Sequence, residues 1–106
     1  MRINIIIPNY NKEPFVLKCL ESCLNQTHED LKVIFIDNES TDKGLELVEK
    51  FAAGRDGDLV IDTVKNIYPR CWDECIRKAH EHLDGDYYTI VGSDDYLDEN
   101  YIANFC

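Results

Sequence analysis

The feature that most constrains this chain is an alternation: four short β-branched or aromatic runs, each separated from the next by a segment with helical spacing. Residues 3–7 (INIII) form the first run, which stops at Pro8. An apolar run of this length suits a strand covered on both faces. Glu13 and Pro14 open a helix, with proline tolerated in the first turn. Phe15, Leu17, Cys19, Leu20, Cys23 and Leu24 continue it until the polar residues 25–30. Residues 31–36 (LKVIFI) read as the second strand. Thr41 is the expected N-cap of a second helix whose apolar side is Leu45, Leu47, Val48 and Phe51. Gly54 and Gly57 end it, and residues 59–64 read as a third strand. After a loop at 65–70, Pro69 is expected to open a third helix carrying Trp72, Cys75, Ile76, Ala79 and Leu83, with Gly85 as its stop. Residues 87–91 read as a fourth, buried strand, and a short last helix is expected from near Asp98.

Strands that alternate with helices at this spacing imply a parallel sheet with right-handed crossovers. The expected fold is α/β and Rossmann-like: a doubly wound, mainly parallel four-stranded sheet with helices on both faces. At 106 residues the chain fits one domain. Its polar loops, residues 8–12, 37–42, 65–70 and 92–95, each follow a strand. They are therefore expected along one edge of the sheet, where ligands of such folds bind.

Charge narrows the partners. Asp and Glu number 21 against 11 Lys and Arg, a formal net charge of -10. That excludes nucleic acid, whose phosphates need clustered cations, and disfavours anionic lipid. A nucleotide remains compatible where a metal ion or backbone N–H groups screen its phosphates. Five cysteines, an odd number, argue against a secreted disulfide framework. With a strand directly after Met1 and no apolar run of spanning length, the expected compartment is the reducing cytoplasm; a membrane anchor in a longer parent chain is compatible with this. Cys19/Cys23 and Cys71/Cys75 are i, i+4 pairs that would make a zinc site if their helices met. Buried apolar thiols are the simpler expectation.

Three loops could carry chemistry. Asp94 and Asp95 in Gly92-Ser93-Asp94-Asp95 are adjacent carboxylates, which repel unless a cation relieves them. Hard oxygen donors suit Mg²⁺ or Mn²⁺, although the same residues also serve as ordinary turn and capping groups. Asp37 and Asn38 head the loop DNESTD, and an acceptor at a strand end suits a base N–H or a ribose hydroxyl; Ser, Thr and Asp also cap helices everywhere. In Pro8-Asn9-Tyr10-Asn11, Tyr10 offers a ring for a base and the asparagines offer to order the loop.

The joint order of these loops resembles glycosyltransferase family 2. IIIPNYN resembles the family's opening strand and loop; Leu20 to Thr27 (LESCLNQT) resembles its "l.Svl.QT" stretch; VIFIDNESTD resembles "ivvDDgStD". Asp84-Gly85-Asp86-Tyr87-Tyr88 is similar to "xGeyi", and GSDD falls where the family has its aspartate-rich motif. The resemblance implies a GT-A fold whose N-terminal half binds a nucleoside diphosphate sugar, with UDP the expected carrier. It implies that Pro8, Asn9 and Tyr10 flank the base, that Asp37 or Asn38 contacts uracil or ribose, and that Arg70 touches the diphosphate. It implies Asp94 near ribose or metal, Asp95 as a ligand of a divalent metal (Mg²⁺ or Mn²⁺), and transfer to a hydroxyl acceptor with inversion. Two departures stand out: Asn38 replaces a frequent second Asp, and Gly92 a frequent first Asp of the aspartate block. The general base is expected beyond residue 106, so the chain is expected to be the donor-binding part of a longer enzyme. Two rivals remain at this level: a degenerate module that binds or forms a homodimer through an apolar surface, and a receiver-type signalling domain. The second lacks the acidic pair it needs after the first strand.

Overall fold

In a computed structural model the chain is described over residues 2–28, 30–53, 59–65 and 72–103, with backbone alone at 72 and 73. Strand β1 spans Ile3–Asn9, helix α1 Glu13–Leu24, β2 Leu31–Asp37, α2 Gly44–Ala52, β3 Leu59–Thr63 and α3 Trp72–Ala79. A 3-10 turn, His80–His82, leads to β4, Tyr87–Ile90. The strands pair in the order β3-β2-β1-β4, all parallel.

β1 is apolar because it is the inner strand covered on both faces. Ile3, Ile5 and Ile7 pack with Val16, Cys19, Leu20 and Cys23 of α1 and with Val33, Phe35 and Val48. Ile6, Ile34 and Ile36 pack on the opposite face with Cys75 and Ala79 of α3. Each fully buried Ile, Val or Phe in this double core contributes roughly 1.5–3 kcal/mol. Chain travel runs outward from β1 to β3 with α1 and α2 on one face, then reverses to β4 with α3 on the other. Direction and face reverse together, so the hand of the crossover is kept. The reversal creates a topological switch point between β1 and β4, the place where such sheets open a ligand crevice.

Several sequence expectations need correction. The fourth strand stops at Ile90, and it is an open edge rather than a buried strand: Tyr87, Tyr88 and Ile90 are all exposed. Residues 99–103 form turns, and no helix begins at Asp98 among the described residues. Thr41 does not cap α2, which starts at Gly44 after Lys43. Phe15 lies outside the core and Val16 takes its place. Pro69, Arg70, Cys71 and the loop at 65–70 beyond Lys65 lie outside the described residues. The sheet separates Cys19 and Cys23 on α1 from Cys75 on α3, so the described thiols do not come together.

Two local details position the loops. Pro8 is tolerated in an inner strand because Ile6 already gives its carbonyl to Val91 N–H at 2.9 Å. β4 leaves at this point, so no further ladder bond is needed on that side of Pro8. The turn into β4 is gripped by buried Asn4, whose Oδ1 accepts from Asp84 N–H at 2.9 Å and Gly85 N–H at 3.0 Å. A Cβ at Gly85 would stand 2.8 Å from the Arg2 carbonyl oxygen, which explains the glycine by close approach.

Candidate functional site

The carboxyl ends of β1 and β2 lie side by side, with Asn9 in register with Asp37. Asp37 is buried, and both of its oxygens are engaged. Oδ1 accepts from Asn9 Nδ2 at 2.8 Å and from Ser40 Oγ at 2.7 Å; Oδ2 accepts from Ser40 N–H at 2.9 Å. The carboxylate thereby folds the loop 37–40 back on itself. Glu39 sits at φ 49°, the left-handed region, which the family pattern fills with glycine.

The two loops lock together. Asn11, also at φ 49°, accepts the N–H of Thr41 at 2.8 Å. Asp42 Oδ2 accepts the N–H of Glu13 at 3.0 Å, and Glu13 Oε1 accepts the N–H of Lys43 at 2.8 Å. Asp42 thus serves both helix starts, because its Oδ1 also accepts the N–H of Gly44 at 2.9 Å, and its charge suits both helix dipoles. This is the capping that Thr41 was expected to supply.

Two acceptors in this tight arrangement have no donor. Asn9 Oδ1 and Asn38 Oδ1 are buried and lack a hydrogen-bond partner among the described residues. Asn9 is 2 % and Asn38 1 % exposed. A buried acceptor left unmade costs roughly 1–3 kcal/mol, so two neighbouring ones at a sheet's carboxyl edge invite an N–H or O–H from outside the fold.

Across the switch point, the loop after β4 presents Asp94 and Asp95, both exposed, on a turn closed by Asp95 N–H to Gly92 O at 3.0 Å. Lys12, just ahead of α1, places Nζ 3.6 Å from Asp94 Oδ2. This pair joins the β1 lip of the crevice to the β4 lip. Sequence reasoning missed Lys12; its signal was a cation directly after NYN, visible only once β1 and β4 are known to be neighbours. Tyr10 is half-buried at the same lip and Pro8 is buried beneath it. The structure therefore brings together Pro8, Asn9, Tyr10, Asp37 and Asn38, and sets Asp94 and Asp95 opposite; Arg70 lies outside the described residues.

A second cluster lies elsewhere. Asp62, Glu81 and His82 bring their ligand atoms within 4.8 Å of one another. Lys78 already sits in this group, 2.8 Å from Glu81 and 3.9 Å from Asp62, and His82 Nε2 lies 2.8 Å from Asp62. The His82 contact first, with help from Thr63 N–H and Lys78, holds the Asp62 carboxyl below the usual carboxylate range. Lys78 offsets part of the cluster's negative charge, and the Asp62–His82 bond ties the 3-10 turn to β3. His82 is half-buried by it.

No helix among the described residues is long and apolar enough to cross a membrane. The profile of Glycosyl transferase family 2 matches residues 4–105. The chain is 35 % identical over 103 residues to a poly(ribitol-phosphate) beta-glucosyltransferase of Bacillus spizizenii, covering 92 % of this chain and 15 % of that protein. It superposes on S. aureus TarS in complex with UDP with a TM-score of 0.84 and 25 % identity, over 99 % of this chain and 31 % of that one. The mannosyltransferase PcManGT from Pyrobaculum calidifontis, in complex with GDP-Man and Mn²⁺, gives 0.81 and 25 % over 96 % of this chain and 30 % of its own. The chain thus spans well under half of these relatives, and its parallel α/β sheet is that of the GT-A glycosyltransferases. Matched along nearly its whole length, this chain belongs to glycosyl transferase family 2.

Proposed function

We propose that the chain is the donor-binding domain of a glycosyltransferase that moves a sugar from a nucleoside diphosphate, UDP by preference, to a hydroxyl acceptor with inversion. The observation that carries this reading is the pair of donorless buried acceptors, Asn9 Oδ1 and Asn38 Oδ1, beside the switch-point crevice. They suit the imino and hydroxyl donors of a base and ribose, and Tyr10 offers its ring alongside. Lys12 stands between this pocket and Asp94, where it suits the diphosphate. A UDP complex and a GDP-Man complex among the structural neighbours support the ligand class.

Asp94 and Asp95 are exposed, adjacent hard-oxygen donors, and among the described residues Lys12 pairs with Asp94. That donor set fits Mg²⁺ or Mn²⁺, and the PcManGT complex contains Mn²⁺. Such an ion, when bound, neutralises charge on the leaving diphosphate. The chain's own part is orientation: Asp37 fixes Asn9 and the 37–40 loop, Asp42 fixes both helix starts, and Lys12 balances the aspartate loop. The general base and the acceptor site, for a glycan, lipid or protein, belong to a further part of the parent protein. The buried thiols Cys19 and Cys23 suit a reducing cytoplasm.

Calorimetric titration of UDP with and without Mn²⁺, beside Asp94→Asn/Asp95→Asn, tests this. Metal-enhanced binding that the double variant loses supports the reading. Absence of binding to folded wild-type protein at millimolar UDP overturns it. The open β4 edge, with Tyr87 and Tyr88 exposed, favours a second reading as a non-catalytic dimerisation module; a dimer by sedimentation without UDP binding would select it.

A further inference from the structure

The stretch Ser22 to Thr27 matched the family pattern in the sequence but has no part in the site described so far. Its side chains turn toward the segment that follows the aspartates. Ser22 Oγ accepts the N–H of Leu97 at 2.9 Å. Gln26 Nε2 donates to the Asp98 carbonyl at 2.7 Å, and Gln26 Oε1 accepts the N–H of Ile102 at 2.9 Å. Thr27 N–H donates to the Glu99 carbonyl at 2.8 Å. One turn earlier on the same helix, Cys19 Sγ donates to the Gly92 carbonyl at 3.4 Å.

These contacts bracket the aspartates from both sides. Gly92 lies just before Asp94 and Asp95, and Leu97, Asp98 and Ile102 follow them. Gln26 is 8 % exposed and Ile102 1 %, so these bonds are shielded from competing water. The aspartate loop has little else to hold it. β4 ends at Ile90, and Asp94, Asp95 and Tyr96 are exposed. The Lys12–Asp94 contact at 3.6 Å is a half-exposed ion pair, worth little as a restraint.

We infer that Ser22 and Gln26 are positioning residues that set the aspartate loop for metal and diphosphate, with α1 as the rigid rail. The inference rests on the donor-site reading above. It accounts for why a polar Ser stands in the last turn of α1 and a buried Gln just past its end, and it separates two halves of the site. The base half is built by Asn9, Asp37 and Asn38. The metal half is held through Gln26.

The test uses the 106-residue chain, with Gln26→Ala, Ser22→Ala and the conservative Gln26→Glu, which keeps the acceptor for Ile102 and loses the donor to Asp98. Amide hydrogen exchange and UDP titration with and without Mn²⁺ are both measured. The expected result for Gln26→Ala is faster exchange at Leu97 and Ile102 with unchanged exchange at Ile5 and Val33. Its gain in UDP affinity from Mn²⁺ should fall about tenfold, since the three hydrogen bonds lost, to the Ser22 and Asp98 carbonyls and from Ile102 N–H, loosen the loop and act on the metal only through it. Metal-free UDP affinity should be kept, and Gln26→Glu, which sets an acceptor-only carboxylate against the Ser22 and Asp98 carbonyls, should lose at least as much as Gln26→Ala. Equal loss of affinity with and without metal, or faster exchange in the strands as well, overturns the positioning role and leaves Gln26 as general scaffold. Unchanged exchange at Leu97 and Ile102 removes the bracket itself. A wild-type chain that gains nothing from Mn²⁺ sinks the donor-site reading and the positioning role with it, and the exchange data still decide the bracket.

Discussion

Asp37→Ala and Asp37→Asn together test whether this carboxylate is the anchor of the nucleotide loop. Alanine removes the acceptor for Asn9 Nδ2, Ser40 Oγ and Ser40 N–H. Hydrogen bonds to a charged group contribute roughly 1.5–3 kcal/mol each, and neighbours do not add. Two losses are softened. Ser40 Oγ still receives Asn11 N–H at 3.0 Å, and Asn9 Nδ2 still reaches Ser40 Oγ at 3.3 Å. Ser40 N–H has no other acceptor among the described residues. Weighing these, the expected cost is about 3 kcal/mol for alanine, a large share of the 5–15 kcal/mol typical of a domain. Asparagine keeps one oxygen, which serves Asn9 and Ser40 Oγ, and sets its amide N–H groups against Ser40 N–H; the expected cost is about 1 kcal/mol. With a urea slope near 2 kcal/mol/M, the midpoints should drop by about 1.5 M and 0.5 M at unchanged slope. Equal midpoints for wild type and alanine, or a larger loss for asparagine than for alanine, would refute the anchoring argument.

Three further outcomes follow from the geometry. Lys12→Gln should leave the urea midpoint within about 0.5 kcal/mol of wild type, since exposed ion pairs contribute little, while UDP binding by calorimetry weakens several-fold; unchanged affinity would remove Lys12 from the site. Arg2 first, then Asn4 and Lys32, hold the Asp84 carboxyl well below the usual carboxylate range. A group lowered on folding adds stability above its unfolded pKa near ~3.9 and loses it as pH falls toward the folded value. Stability should therefore decline in acid below about pH 4, and more shallowly in Asp84→Asn; parallel curves would contradict this. The Cys23 thiol first, then burial, push the Cys19 thiol far above its usual value, and thiolate is the reactive form. Iodoacetamide should spare Cys19 in the native chain and label it in urea, as read by peptide mass spectrometry; native labelling at the denatured rate would disprove the burial argument.

Strand order was not written in any one segment, but its ingredients were. The IIIP run gave a doubly covered strand, and the alternation of elements gave a parallel sheet, as found. β4 was misjudged because Tyr87, Tyr88 and Ile90 read as buried β-formers, whereas their exposure follows from the strand's place at the edge. That is a tertiary fact with no local signature. Thr41 was a reasonable cap by residue type, yet its neighbour Asp42 caps α2 locally through Gly44 N–H and also reaches Glu13 N–H, 29 residues away, which depends on adjacent strand ends. Asn9, Asp37 and Asn38 were legible as acceptors at strand ends. That Asp37 is consumed by the fold while the amide oxygens stay free was not legible, because satisfaction of a polar group is settled by neighbours distant in sequence.

The crossing of β4 back to β1 also fixes an order of assembly. Ile3–Asn9, Glu13–Leu24 and Leu31–Asp37 form one parallel βαβ unit, whose pairing closes a much shorter stretch of chain than that of β4 and so costs less entropy. The free flank of β1 must then wait for a partner some 84 residues later, the separation of the Arg2–Asp86 bond. Until it arrives, an apolar strand presents an unpaired edge, the kind that joins to other chains. Slowing the turn at Asn4 and Gly85 would prolong that interval. Its cost would therefore be seen in aggregation during refolding and in yield on expression before any loss of stability in the finished fold.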